Sequence, residues 1–298
     1  MTRVMILGAG GMLGHKAWQV LGNQCQVYGT VRTFDARLRA TGIFDEARIL
    51  SGVDAWNLDS VSQAIAHCRP DWVINCIGIV KQRAIVNDAK QAIYVNALFP
   101  HLVAELCAPL NIRVIQISTD CVFSGKKGSY RETDLTDAED QYGRTKLLGE
   151  LTGPHCLTLR TSIVGRDLFS NYSLIDWFLS CPDTEVRGYA RALYSGLTTA
   201  ALSREIGRVI SSYPHLHGLY HVSSAPVTKY DLLGMVKTAF HAPVTIVRDE
   251  TFISDRSMIS DRYWRETRAA PPRWEDMIQE MAADPTGYER FRQALSAV

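Results

Sequence analysis

Short, continuous apolar runs alternate with amphipathic stretches through the first half of the chain. The apolar runs predict buried strands at residues 3–7, 25–32, 47–54, 71–78, 112–118 and 156–164. Helical periodicity lies between them, reaching about residue 21, then at 58–68, 88–110 and 142 to about 151. Pro100 falls inside the long helix, which should accommodate it or kink there. Strands buried on both faces and separated by helices indicate an α/β fold with a doubly wound parallel sheet.

The alternation loosens after about residue 165. Helices are predicted at 198–213, 229–240 and 271–283, and short strands at 218–224 and 243–249. We therefore expect a first domain at 1–165 and a smaller α/β lobe at 166–298 that shares its hydrophobic core.

The composition favours a cytoplasmic protein with reduced cysteines. The 298 residues include 32 Lys and Arg against 31 Asp and Glu, a net charge of +1, so no basic excess points to nucleic acid. The longest strongly apolar run, WVINCIGIV, is too short to span a bilayer. The seven cysteines include no C-x-x-C pair, which argues against a disulfide framework or a structural zinc site.

A glycine-rich turn follows the first predicted strand. Gly8, Gly11 and Gly14 form the pattern G-x-x-G-x-x-G directly before the first helix. In a dinucleotide-binding turn, the first glycine permits the tight bend, the second lets backbone amides approach the pyrophosphate, and the third packs closely on the strand. Met12 and Leu13 would lie in the same turn against the cofactor. The strand–turn–helix context favours this interpretation over a merely structural turn.

The end of the second strand bears on which dinucleotide would bind. Sites for NAD usually have an acid there, bonded to the ribose 2′-hydroxyl. This chain has Arg32 and Thr33 instead, and a guanidinium suits a 2′-phosphate, so we expect NADPH. Asp35 follows closely enough to leave NADH open, and Arg32 could also be a solvated strand end. Asp54, after the third strand, is positioned to bond the adenine amino group.

The ends of the fourth and fifth strands should border the same crevice, because ligands of doubly wound sheets bind at the carboxyl ends of strands. Cys76, Ile77 and Gly78 would line the central riboses of the cofactor. Ser118 and Thr119 would emerge beside them from the fifth strand.

Tyr142 and Lys146 are four residues apart, which puts both side chains on one helix face. Such a pair also arises by chance on exposed helices, so its meaning depends on its surroundings. With Thr119 holding a carbonyl oxygen, Tyr142 could supply the proton for carbonyl reduction while the cofactor supplies hydride. A nearby ammonium on Lys146 would lower the pKa of the phenol, and the same lysine would bind the nicotinamide ribose.

These motifs resemble the extended short-chain dehydrogenases/reductases, and within them the dTDP-4-dehydrorhamnose reductase family. The similarity includes the glycine turn and the segments RPDWVINC, YVNALFPHLVAELC, STD, YGRTK, LRTSIVG and SGLTT. The resemblance implies a Rossmann domain and NADPH-dependent reduction of the 4-keto group of a nucleotide-activated sugar, as in precursor synthesis for cell-surface polysaccharides. It assigns the catalytic roles to Thr119, Tyr142 and Lys146. A homodimer is compatible with it, and no nucleic-acid or membrane partner is expected.

The sugar nucleotide should contact the strand end, the tyrosine helix and the second part of the chain. The expected contacts are Thr119, Asp120, Cys121, Tyr142, Asn171 and Arg191. Arg191 could clamp a diphosphate or lie on solvated surface. The histidines at 215, 217 and 221 lie close in sequence, but no carboxylate or cysteine follows at ligand spacing, so no metal is expected.

Cys121 leaves alternatives open. The rhamnose family has a tyrosine at this position, and the segment 82–90 has also lost an acidic pair typical of that family. The GDP-fucose synthase family, a relative, uses a cysteine at this position for epimerisation, so an epimerase or epimerase–reductase is an alternative. A small apolar side chain at a strand end also explains Cys121. The cysteine replaces a glutamate that sugar-nucleotide dehydratases need. A non-catalytic NADP-binding subunit, like the regulatory subunit of methionine adenosyltransferase, is the further alternative.

Overall fold

The computed structural model describes residues 1–80 and 88–296, and no side chains beyond residue 293. Its strands are β1 Arg3–Leu7, β2 Gln26–Val31, β3 Ile49–Ser51, β4 Trp72–Asn75, β5 Arg113–Thr119, β6 Cys156–Thr161, β7 Ile163–Val164, β8 Glu185–Tyr194, β9 Leu197–Thr198, β10 Gly218–His221, β11 Val227–Thr228 and β12 Thr245–Asp255. Its helices are α1 Met12–Leu21, α2 Ala36–Ala40, α3 Leu58–Cys68, α4 Ala89–Ala92, α5 Phe99–Cys107, α6 Gln141–Leu148, α7 Leu174–Leu179, α8 Thr199–Ser212, α9 Lys229–Phe240, α10 Asp261–Glu266, α11 Trp274–Ala282 and α12 Tyr288–Ser296.

The central sheet has seven strands in the order β10-β6-β5-β4-β1-β2-β3, and every neighbouring pair is parallel. The predicted doubly wound α/β fold is therefore confirmed. Strand order reverses between β1 and β4, which opens a crevice at the carboxyl ends of the strands. The strand ends at this crevice are aligned, because Leu7 pairs with Asn75 and Asn75 pairs with Gln116.

The strand β1 shows why its sequence is a continuous apolar run. Val4 and Ile6 lie in one hydrophobic cluster, Met5 and Leu7 lie in another, and all four side chains are fully buried. The first cluster includes the inner faces of α1 and α8, and the second includes those of α3 and α5. A strand covered on both faces has no position for a polar side chain, so apolar and polar residues do not alternate along its buried part.

The helix predicted at 88–110 is a single helical segment with an irregular centre. A π-helical turn at Ile93–Leu98 joins α4 to α5 and ends two residues before Pro100, which cannot continue regular α-helical bonding. Within the described residues, Ala89–Leu110 is the helix that is long and apolar enough to cross a membrane by composition, with a mean hydropathy of 1.3. Phe99 and Val103 nevertheless bury its inner face against the sheet.

The second half of the chain contributes strands to three sheets, the smallest of which pairs β9 with β7. Its strand β10 joins β6 at the edge of the central sheet, and α8 packs on α1. Strand β8 lies between β11 and β12 in a separate three-stranded sheet that contacts α9. The central sheet thus crosses the boundary expected at residue 165, and the two parts share one hydrophobic cluster. The division into domains stays a prediction.

Candidate active site

The turn between β1 and α1 has room for an anion where its glycines lie. Gly8 has a φ of 78°, a left-handed conformation that residues with a Cβ rarely adopt. A Cβ on Gly14 would lie 2.2 Å from the carbonyl oxygen of Gly8, so α1 meets the strand end without space for a side chain. Gly11 is the exposed N-cap of α1, and among the described residues other than its chain neighbours, its Cβ would meet only that same oxygen, at 3.4 Å. The unpaired amides of the first helical turn therefore face open space, which fits a pyrophosphate.

The loop after β4 forms the other wall of this turn. The backbone N–H of Cys76 donates to the carbonyl of Leu7 at 3.0 Å. The side chain of Ile77 would lie 2.9 Å from a Cβ on Gly8, so the two loops are in close contact. Met12 is half-buried at the start of α1, whereas the side chain of Leu13 is buried in the core. Leu13 can therefore meet a cofactor only through its backbone.

The side chain of Asn96 holds the loop after β4 in place. The sequence analysis did not identify this residue as part of the site. Its Oδ1 accepts the N–H of Ile79 at 2.8 Å, and its Nδ2 donates to the carbonyl of Ile79 at 3.1 Å. The same Nδ2 reaches the hydroxyl of Thr145 on α6 at 3.3 Å. Gly78 is exposed beside it. One buried amide thus connects the loop after β4 to the tyrosine helix.

At the end of β2, the side chain of Arg32 is exposed, whereas the carboxylate of Asp35 caps a helix. Arg32 and Thr33 are both exposed. Asp35 is the N-cap of α2, and its Oδ1 accepts a backbone N–H of that helix at 2.9 Å. The guanidinium of Arg37 lies 4.6 Å from the ring centroid of Phe169. Because the carboxylate is engaged in capping, the strand end suits a 2′-phosphate better than a ribose 2′-hydroxyl.

Replacing Arg32 by alanine should weaken NADPH binding by roughly ten- to a hundredfold, as expected for loss of a hydrogen bond to a charged group, and should barely change NADH binding. The reason is that only NADPH has the 2′-phosphate. Fluorescence titration of both cofactors measures the ratio of dissociation constants. Arg39→Ala is the matched control, because Arg39 is exposed on α2 but pairs with Glu46. An equal loss for both cofactors would contradict this assignment.

Asp54 lies on the predicted adenine side of the crevice. Its Oδ1 accepts the backbone N–H of Trp56 at 3.0 Å, and its own N–H donates to the hydroxyl of Ser60 at 3.1 Å. Trp56 stacks on Tyr94 with ring centroids 4.1 Å apart. The adenine role of Asp54 stays a prediction.

The tyrosine helix is held tightly against the end of β5. Asp140 caps α6 by accepting the N–H of Gly143 at 2.7 Å. A Cβ on Gly143 would lie 2.1 Å from the carbonyl oxygen of Cys121, so only glycine allows this approach. The approach brings the phenol of Tyr142 close enough to Thr119 for the threonine hydroxyl to act on the pKa of the phenol. Two members of the predicted catalytic group therefore meet in the fold.

Lys146 completes the group from the next turn of α6. Its Nζ is buried and donates to the carbonyl of Ile117 at 2.6 Å. Burial lowers the pKa of Lys146 to about 8, with Glu150 and Cys76 acting in the opposite direction. Cys76 is therefore close to the amine, which locates the lysine beside the loop after β4. Burial also raises the pKa of the Cys76 thiol to about 12.

The expected effect of Lys146 on the tyrosine is wrong for this structure. Burial raises the pKa of Tyr142, and the nearby groups at Cys121 and Asp120 raise it further. The amine of Lys146 is directed at a backbone carbonyl instead. The phenol is thus protonated at neutral pH, which is the form that a proton donor requires.

Asp120 and Cys121 continue directly from Thr119 into a short turn. The hydroxyl of Thr119 donates to Oδ1 of Asp120 at 3.1 Å and accepts the backbone N–H of Cys121 at 3.1 Å. Burial raises the pKa of Asp120, and the guanidinium of Arg256 opposes this. The predicted substrate residues at the strand end are therefore next to the phenol of Tyr142.

Two residues of this region lie far along the sequence and were missed. Tyr194 ends β8, and burial, with Asp120 and Cys121 nearby, raises its pKa to about 12. Arg256 follows β12 and donates from Nε to the carbonyl of Phe123 at 2.9 Å. No motif in the sequence marks either residue, since their proximity to Asp120 arises only through the fold.

The other two predicted substrate residues are exposed. Asn171 lies in the loop between β7 and α7, and Arg191 lies on β8. Neither makes a hydrogen bond or ion pair with Thr119, Tyr142 or Lys146 in the part of the chain that the structure describes. Their substrate roles stay predictions, and the departure noted at 82–90 lies largely outside the described residues.

Ser118 belongs to a buried polar network behind the site. Its hydroxyl donates to Oε1 of Glu150 at 2.6 Å, and Glu150 forms a bidentate ion pair with Arg160 at 2.7 Å. Glu150 also acts on Lys146. The side chain of Ser118 is therefore engaged within the protein, and its predicted cofactor contact would come from the backbone.

No metal site was predicted from the histidines at 215, 217 and 221, and His221 is held in the interior by other residues. His221 is buried, with its Nδ1 3.2 Å from the carbonyl of Tyr130 and its Nε2 3.4 Å from Arg160. Within residues 1–80 and 88–296, no three His, Cys, Asp or Glu side chains are arranged to hold a metal ion.

The parallel sheet, with a glycine turn at its switch point and a Tyr–Lys helix at β5, defines an extended short-chain dehydrogenase/reductase. Residues 1–285 match the family model described as RmlD substrate binding domain, and the chain belongs to this family. The resemblance inferred from the sequence is thereby confirmed.

Relatives of known name are similar along much of the chain. The spore coat polysaccharide biosynthesis protein SpsK of Bacillus subtilis is 25% identical over 295 residues, which cover 94% of this chain and 96% of that protein. A dTDP-4-dehydrorhamnose reductase of Aggregatibacter actinomycetemcomitans is 27% identical over 242 residues, covering 78% and 76% respectively. The solved dTDP-4-dehydrorhamnose reductase of Bacillus anthracis, in complex with NADP, superposes with a TM-score of 0.79 at 22% identity, covering 96% of this chain and all of that one.

Proposed function

We propose that this protein reduces the 4-keto group of a nucleotide-activated deoxysugar with NADPH. The observation that carries the proposal is the meeting of Thr119, Tyr142 and Lys146 at the end of β5, beside the loop that packs on the glycine turn. A relative named dTDP-4-dehydrorhamnose reductase and a solved reductase in complex with NADP support the reaction and the cofactor. A relative named for spore coat polysaccharide biosynthesis supports the pathway class.

In this proposal each of the three residues has a separate task. NADPH, when bound, supplies the hydride that reduces the carbonyl carbon. Tyr142 donates its phenolic proton to the carbonyl oxygen, which becomes the hydroxyl of the product. Thr119 orients that oxygen by a hydrogen bond from its hydroxyl. Lys146 binds the ribose hydroxyls of the cofactor, and its hydrogen bond to the carbonyl of Ile117 holds the amine at the end of β5.

Epimerisation through Cys121 is the second candidate. The position of Cys121 beside Tyr142 favours it, because a thiol there could exchange a proton with a carbon next to the keto group. In the GDP-fucose synthase family, the cysteine used for epimerisation is paired with a histidine. The ring centroids of His221 and Phe123 lie 5.7 Å apart, but the two ring nitrogens of His221 face the carbonyl of Tyr130 and the guanidinium of Arg160. Reduction alone is therefore the proposal, and solvent deuterium at C3 or C5 of the product would reveal epimerisation.

The proposal is tested by mixing the purified protein with NADPH and separate 4-keto-6-deoxy sugars linked to dTDP, UDP, GDP or CDP. We expect stoichiometric loss of cofactor absorbance with at least one of them, and the dTDP sugar is the first to try because of the relatives' names. Tight NADPH binding without turnover on any sugar would instead support a non-catalytic NADP-binding subunit.

We further propose that the protein is cytoplasmic and that its partners are the sugar nucleotide and a second copy of the chain. The net charge of +1 supports the expectation of no nucleic-acid partner.

A further inference from the structure

His15 is a buried titratable residue that the proposed reaction does not use. It is the fourth residue of α1 and is fully buried between the glycine turn and α12. Its Nδ1 lies 2.8 Å from the carbonyl oxygen of Gly11, and its Nε2 lies 2.9 Å from the hydroxyl of Tyr288. Burial lowers the pKa of His15 to about 4, so the ring is neutral at neutral pH. Since a carbonyl only accepts, Nδ1 carries the proton and Tyr288 donates to Nε2.

The carbonyl of Gly11 controls the direction of the amide that follows it. It accepts both the backbone N–H of His15, at 3.0 Å, and the Nδ1 of the same residue. In a trans peptide the C=O and the following N–H lie in one plane and point in opposite directions. Fixing the Gly11 carbonyl therefore fixes the N–H of Met12, which has no partner within the helix and points to the open space above its N-terminus.

Tyr288 is itself held firmly in α12. Its side chain is almost fully buried, and its hydroxyl is 3.4 Å from Oδ2 of Asp284, which pairs with Lys16 on α1. The guanidinium of Arg166 lies 4.8 Å from the ring centroid and bonds Glu289 at 2.6 Å. The phenol is thus anchored to α1 on one side and to the loop after β7 on the other.

We propose that Tyr288 and His15 are positioning residues for the cofactor, through which α12 holds the amides of the glycine turn in the conformation that binds pyrophosphate. The inference rests on the proposed function only in that a dinucleotide occupies this turn. Tyr288 lies beyond the residues 1–285 that match the family model, so the contact belongs to a segment outside that match.

Tyr288→Phe tests the pair because it removes one hydroxyl and keeps the ring. We expect the dissociation constant for NADPH to rise about three- to tenfold, the range for one hydrogen bond, while kcat at saturating NADPH changes little. His15→Ala should weaken binding at least as much. His15→Asn should recover part of the loss, because its amide can still donate to the Gly11 carbonyl. In the double variant of His15→Asn and Tyr288→Phe, NADPH binding should be no weaker than in His15→Asn alone.

Tyr263→Phe is the matched control. Tyr263 is another buried tyrosine of the C-terminal part, and its hydroxyl bonds Glu205 at 3.1 Å, away from the glycine turn. This control should lower the melting temperature without changing the dissociation constant for NADPH. If Tyr288→Phe also lowers the melting temperature but leaves the dissociation constant for NADPH unchanged, the positioning role is overturned. Binding is measured without sugar, so a protein that binds NADPH but reduces no sugar still tests the pair. A wild-type protein that binds no NADPH overturns both proposals.

Discussion

Replacing Tyr142 by phenylalanine is expected to lower kcat for sugar reduction by about 10²–10⁴-fold, the usual contribution of a positioned general acid. The phenol is the group that would protonate the carbonyl oxygen, and burial keeps it protonated at neutral pH. Phenylalanine keeps the ring and removes only the acid. The dissociation constant for NADPH should therefore change little. Single-turnover kinetics at saturating NADPH, with a parallel fluorescence titration, measures both quantities.

Tyr220→Phe is the control for this variant. Its hydroxyl, on β10, donates to Glu266 at 2.5 Å, so the same chemical change occurs at a tyrosine outside the proposed site. The control should retain the wild-type rate. If Tyr142→Phe also retained it, the acid would have to be another group of the same region, and Tyr194 would be the next residue to replace.

The second large effect is expected from Gly14→Ala. The added methyl would lie 2.2 Å from the carbonyl oxygen of Gly8 and 2.9 Å from the Cα of Ala9, so α1 and the turn must move apart. Overpacking of this kind costs about 1–3 kcal/mol and occasionally more. Because the shift falls on the amides that face the pyrophosphate, NADPH binding should weaken at least about tenfold, with a lower melting temperature.

Gly234→Ala gives the matched comparison. Gly234 lies in α9, and apart from its chain neighbours and the backbone of its own helix, no heavy atom of the described chain lies within 4 Å of the position its Cβ would take. Alanine favours the helix over glycine by about 0.5–1 kcal/mol, so this variant should be as stable as the wild type or more stable. It should bind NADPH normally. Unchanged NADPH binding in Gly14→Ala would contradict the assignment of the turn.

The sequence was sufficient for the main sheet because its signals are local. The run at 3–7 and the helix at 58–68 were predicted with the bounds that β1 and α3 have, whereas only Trp72–Asn75 of the run at 71–78 forms a strand. The strand predicted at 47–54 is much shorter, since a 3-10 turn at Glu46–Arg48, capped by Asp45, occupies the residues before Ile49.

Strand β8 was missed because its pattern has a second interpretation. In EVRGYARALY the exposed side chains Glu185, Arg187 and Arg191 alternate with buried ones, as in a strand with one solvated face. Arg191 was instead interpreted as a possible ligand of a diphosphate or as solvated surface. A strand was predicted at 218–224, of which Gly218–His221 forms β10, but its place beside β6 depends on a pairing between distant residues.

The candidate site was predictable only where its residues occur in motifs. The glycine turn and the pair Tyr142–Lys146 have fixed spacings, so the sequence reveals them. The direction of the tyrosine pKa was mispredicted because burial, which no spacing encodes, raises it, and because the amine of Lys146 bonds a backbone carbonyl instead. His15 and Tyr288 are 273 residues apart, and their contact could be found only in the folded chain.

In the proposed reaction, this site delivers hydride from NADPH to C4 of a sugar nucleotide. The most direct measurement uses NADPH with deuterium at the transferable position and the keto sugar that shows turnover, followed by NMR of the product. We predict one deuterium per product molecule, bound to C4, and formation of this product about 10²–10⁴-fold more slowly by Tyr142→Phe than by the wild type. Cofactor oxidation without deuterium at C4, or formation of the labelled product by the variant at the wild-type rate, would contradict the proposed reaction.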